Sequence, residues 1–140
     1  MYDPFNLERF VEAQNPIYDR VLSELRSGRK KSHWMWFIFP QIMGLGRSDL
    51  AEKFSILDQE EAEAYLDHQI LGPRLQECTK LVLKADARSI AEIFSHPDDL
   101  KFRSSMTLFD FAIPGTVFGQ ALKKFFDGRG DQATLAVLNK

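Results

Sequence analysis

The chain lacks most of the features that assign a class at once. It has one cysteine, Cys78, in 140 residues, so neither an intrachain disulfide nor a cysteine-based zinc site can be built from it. Its three histidines, His33, His68 and His96, show no i, i+4 pair of the kind that holds a metal on a helix. The longest strongly apolar run, Trp34 to Pro40, is far too short to span a bilayer. The first ten residues, MYDPFNLERF, lack the basic segment and following apolar stretch of a signal peptide. There is no basic excess either: the formal net charge is −2, which disfavours a dedicated nucleic-acid binder, whose affinity comes mainly from neutralising phosphates. A cytoplasmic protein without a membrane partner is expected.

Motifs are also scarce. GLGRS at Gly44 to Ser48 belongs to neither a dinucleotide fingerprint nor a Walker pattern, and no strand is predicted before it. No Gly-x-Ser-x-Gly elbow or paired Cys–His arrangement occurs. No cofactor and no metal are therefore expected.

What is present is an ordinary globular composition, 44% hydrophobic and 27% charged, enough for one domain over residues 1–140 with a real core. Twelve phenylalanines supply large core side chains, worth about 1.5–3 kcal/mol each when fully buried. Punctuation is dense and helical. Asn6 is predicted to cap a helix over Leu7 to Gln14. Asn15 with Pro16 is predicted to open the next, which stops at Ser27-Gly28. Ser32 is predicted to cap a short helix to Phe39. Ser48, Asp58, Asp86, Pro97, Thr116 and Asp131 are predicted to open later ones, with Gly72-Pro73 restarting the chain between them. Alternating strand patterns are essentially absent. The fold expected is all-α, about nine short helices in an irregular orthogonal array.

Two segments carry the chemistry. The first, Gly28 to Gly46 (GRKKSHWMWFIFPQIMGLG), holds both tryptophans, three consecutive cations and His33, and no acid occurs between Glu24 and Asp49. Cations there can serve the carbonyls of a helix end, or Arg29 and Lys31 can hold phosphate while Trp36 stacks on a flat ring. Trp34, Phe37 and Ile38 read as core. His33 is a candidate acid or base if a carboxylate or substrate lies within reach. The second is Lys101 to Thr107 (KFRSSMT). Its hydroxyls either bond back to the preceding turn, anchor a loop, or line a polar pocket with Arg103 and Ser104.

LERFVEAQ at Leu7, SELRSGRKKSHWMWFIFPQIMGLG from Ser23, LGPRL at Leu71 and KFRSSMTLF at Lys101 resemble domain-of-unknown-function family 1810, the Rv-type helical hypothetical proteins of bacteria. The resemblance covers nearly the whole chain, with His68-Gln69 in place of the family's His-Pro. It implies a compact helical domain and brings no established activity. RFVEAQ is also distantly similar to the aromatic–x–x–Ala–Gln element of NADAR domains, which act on ADP-ribose-linked small molecules.

Three functions fit these residues. In the first, the domain binds or processes a small phosphorylated, ring-bearing ligand resembling ADP-ribose. Arg29, Lys31 and Arg103 would hold phosphate and Trp36 would stack. Glu12 beside Gln14 would act as acid or base, His33 would orient the substrate, and Ser104 would line the pocket. This requires the first helix, the tryptophan segment and the Lys101 helix to converge on one cleft, with Glu12, His33 and Arg103 close together. The second is a non-enzymatic protein-interaction module with the basic–aromatic segment as its patch. The third, weak nucleic-acid binding, needs Arg26, Arg29, Lys30, Lys31 and Arg47 on one face.

Overall fold

Among the described residues ten helices appear where the spacing predicts about nine. The computed structural model describes residues 2–86 and 89–140; Met1, Ala87 and Arg88 lie outside that description. In chain order the helices are α1 (Glu8–Gln14), α2 (Tyr18–Arg26), α3 (Met35–Ile38), α4 (Asp49–Lys53), α5 (Gln59–Asp67), α6 (Leu71–Lys84), α7 (Ile90–Phe94), α8 (Asp98–Ala112), α9 (Val117–Phe126) and α10 (Gln132–Leu138). Among the described residues the only β pairing is an isolated parallel bridge, Ile42 with Ile56. The fold is all-α, and its helices share one hydrophobic core.

Capping decides where several helices start. Ser48 accepts from the Ala51 amide, Asp58 from Glu61 and Asp131 from Thr134, as the sequence predicts. Four predicted caps fall elsewhere. Asn6 takes a positive φ of 52°, and the Asp3 carboxylate instead accepts from the amides of Leu7 and Glu8. Asn15 stays in the helical conformation at the end of α1, so α2 begins only at Tyr18. The Ser32 hydroxyl turns away from α3 and donates to Glu24. Asp86 does not open α7; Ser89 occupies its N-cap.

α8 is the central element, packing against α5, α7, α9 and α10. Two aromatic groups surround it. Phe102 stacks on Phe94 at 4.9 Å and meets Phe39 edge-on at 5.1 Å, with Trp34 edge-on to Phe94. Further along the helix Phe109 packs on Tyr65 and Phe118, and Tyr65 meets Phe10 edge-on. Such contacts add about 0.5–1.5 kcal/mol each beyond area burial. Arg9 ties α1 to the connection between α4 and α5. Its guanidinium donates to the carbonyls of Phe5, Asn6, Lys53 and Ser55 and to the Glu61 carboxylate. Gly72 lets α6 pass close to α5: a Cβ there would lie 2.1 Å from the Leu66 carbonyl oxygen.

Candidate functional site

Glu24 organises the basic–aromatic segment. Its carboxylate, on α2 and only 8% exposed, accepts from the amides of Lys31 (2.7 Å) and Ser32 (2.9 Å), the Ser32 hydroxyl (2.6 Å) and the Trp34 indole (3.0 Å). Burial by itself raises a carboxyl pKa; here the hydrogen bonds from Ser32, Lys31 and Trp34 outweigh it and hold Glu24 at about 2. A second anchor comes from Lys30. Its amide donates to the Ile93 carbonyl, and its ammonium, 7% exposed, pairs with Asp98 at 2.8 Å and lies over the Trp34 ring. Two neighbours of the loop are thus fixed inward, and Arg29, Lys31 and His33 are left exposed.

α8 meets this loop through its first turn. Asp98 is shared by Lys30 and, at 3.4 Å, by Lys101. The Lys101 ammonium sits 5.3 Å from the centre of the half-buried Trp36 ring, a cation–π contact worth about 0.5–1 kcal/mol near solvent. Asp98 is thus shared by two ammoniums, and one of them, Lys101, lies beside the Trp36 indole.

Gln14 joins α1 to the same segment from beneath. It is 1% exposed; its amide nitrogen donates to the Phe37 carbonyl (2.7 Å) and to the Tyr65 hydroxyl, and its oxygen accepts from Arg74. Arg74 lies over the Tyr18 ring, whose hydroxyl donates to Glu77 at 2.6 Å. Burial pushes both tyrosines above their ordinary pKa, and it pushes the Cys78 thiol up to about 12. Cys78 is fully buried, and the neutral thiol is favoured there over the thiolate.

The predicted residues divide accordingly. The first helix touches the tryptophan segment through Gln14 and Phe37, and the Lys101 helix touches it through Lys101 and Trp36, but Arg103 does not join Glu12 and His33 in one cleft. Arg29, Lys31, His33 and Trp36 lie on the anchored segment. Glu12 is exposed on α1. Gln14 is spent on internal partners. Ser104 donates back to the Leu100 carbonyl. Arg103 is two residues beyond Lys101, about 200° around the helix. It stacks over Phe126 and donates to the Arg129 carbonyl. Thr107 receives the Asp131 amide, so this side of α8 anchors the turn between α9 and α10. GLGRS leads into α4 beside the Ile42–Ile56 bridge, and Gly46 packs against Ala51.

Glu24, Asp98 and Lys101 were absent from the residues predicted to form the site. Glu24 had a signal: it is the last acid before the acid-free stretch. The Asp98 partnership had none, because it depends on how α8 lies across the loop. Among the described residues no group of three metal-binding side chains occurs, and no helix is long and apolar enough to cross a membrane.

Comparison with known proteins agrees with this picture of a helical domain without an assigned activity. No curated protein matches the chain. Among solved structures it is similar to the conserved hypothetical protein Rv1873 from Mycobacterium tuberculosis, with 55% identity, a TM-score of 0.97 and 99% of each chain covered. A family model described as a protein of unknown function, DUF1810, matches residues 4–138. The chain belongs to the DUF1810 family of proteins of unknown function.

Proposed function

We propose that this domain binds a small phosphorylated, ring-bearing molecule of the ADP-ribose type on the segment from Arg29 to Trp36. The observation that carries the reading is the set of four hydrogen bonds converging on Glu24. They fix a loop whose outward side chains are Arg29, Lys31 and His33. A preorganised cationic loop loses little entropy on closing around phosphate, and Trp36 beside Lys101 offers a ring face next to positive charge. The phosphate contacts fall to Arg29 and Lys31, the stacking contact to Trp36. Glu12 and His33 are the acid–base candidates should the bound molecule be turned over. Arg103, Gln14 and Ser104 act through the scaffold.

Thermal-shift titration tests this with ADP-ribose and with inorganic pyrophosphate, which lacks rings. A ligand at 100 times its dissociation constant stabilises a fold by about 2.7 kcal/mol. ADP-ribose should give a saturable shift, lost in Trp36→Ala and in an Arg29→Ala/Lys31→Ala double variant whose own melting temperatures are near wild type. Pyrophosphate should bind more weakly. No shift from ADP-ribose, or an undiminished shift in the variants, contradicts the proposal. In that event the protein-interaction reading takes precedence, with the same basic loop as its patch.

A further inference from the structure

None of the residues of the basic–aromatic loop lines the cavity between α6, the end of α8 and α9. Its volume is about 460 Å³, within the range of small-molecule sites. Leu66, Leu83, Val117 and Phe118 make its apolar floor, and Ile113, 42% exposed, forms a lip. Lys80 and Lys84 supply one wall from successive turns of α6, and no acid lines the cavity among the described residues.

We infer that this cavity is a binding site for a single-tailed amphipathic anion, a medium-chain carboxylate whose tail lies on the apolar floor and whose head group pairs with Lys80 and Lys84. The charges are otherwise unspent. Neither lysine has an ion-pair partner among the described residues. The role such lysines often play, serving the carbonyls of their own helix end, is taken at Leu83 by Lys124 of α9, whose ammonium donates to that carbonyl. The opposite wall adds to the bias without being needed for it. The Thr116 hydroxyl turns back to the Ile113 carbonyl at 3.2 Å and leaves the start of α9 without a side-chain cap, and no acid occupies its first turn. An uncharged molecule would bury the same tail and leave two ammoniums facing an empty head-group position. A charge requirement therefore separates this site from a merely greasy groove.

The test is a titration of the full chain with decanoate and with 1-decanol, followed by amide chemical shifts. Decanoate should bind saturably, with shifts centred on Leu83, Lys84 and Thr116 to Gln120. Its affinity should fall at least tenfold in a Lys80→Glu/Lys84→Glu double variant with an unchanged melting temperature, and should return in Lys80→Arg/Lys84→Arg. Decanol should bind at least tenfold more weakly than decanoate. Absence of saturable decanoate binding, shifts centred elsewhere, equal binding by decanol, or undiminished binding by the charge-reversed variant would each overturn the inference.

Discussion

At the scale of single residues, polar atoms inside the protein have very different fates. Glu24 is fully satisfied, and its carboxyl is held at about 2 against an ordinary 4.5. A group with a depressed folded pKa contributes stability above its unfolded pKa and loses that contribution as pH falls through the folded one. Glu24 should therefore contribute about 3 kcal/mol above pH 5, declining between about pH 4.5 and 2. Urea titrations across that range should show the loss. Glu24→Gln should remove this component of the pH dependence and cost about 2–3 kcal/mol at neutral pH, since an amide places donors against donors. The Ser105 hydroxyl is the opposite case: buried in α8, it has no hydrogen-bond partner among the described residues. Ser105→Ala should stabilise the fold by about 1 kcal/mol, from relief of desolvation and better helix propensity. A loss of stability would mean the hydroxyl has a partner.

At the scale of helices, close approach matters more than intrinsic propensity. Alanine is about 1 kcal/mol better than glycine in a helix interior, yet two glycines should respond in opposite ways. At Gly72 the added carbon meets the Leu66 backbone at 2.1 Å, and backbone cannot step aside. Gly72→Ala should lose at least about 2 kcal/mol. At Gly119 the obstacle is the Asp110 carboxylate at 2.7 Å, the end of a flexible side chain. Gly119→Ala should stay within about 1 kcal/mol of wild type. Equal losses at both sites, in chemical denaturation, would refute this distinction.

Helix starts also show what was legible beforehand. Ser48, Asp58 and Asp131 could be read as caps because the partner amide is three residues on. Asn6 and Ser32 could not be read correctly, because the competing partners decide the outcome. Asp3 reaches over Asn6 to the α1 amides, and Glu24 draws Ser32 away from α3. The hydroxyls of α8 were ambiguous for a similar reason. Ser104 bonds to its own helix, while Thr107 also holds a turn 24 residues away.

At the scale of the whole molecule, an all-α plan was readable from periodicity and punctuation, and so was the unusual character of the segment around both tryptophans. Helical spacing also separated Trp34, read as core and buried, from Trp36, read as facing elsewhere and half-buried. The split between Lys30, which goes inward to Asp98, and Lys31, which stays exposed, was not readable, because adjacent lysines carry no sequence label of their direction. α1 and α8 each touch the tryptophan segment, but Arg103 does not join Glu12 and His33 in one cleft: it turns to Phe126 and the Arg129 carbonyl, and Lys101 is the cation that reaches Trp36. Helical phase separates the two once α8 is placed.

The central claim is that a loop fixed by Glu24 presents a small-molecule site. Amide chemical-shift mapping of the full chain during titration with ADP-ribose, in wild type and in Glu24→Gln, tests it most directly. Saturable shifts confined to the segment from Arg29 to Trp36 and the first turn of α8, weakened in the variant, are the predicted result. No shifts at millimolar ligand, shifts that centre on other elements, or equal affinity in the two proteins would contradict it.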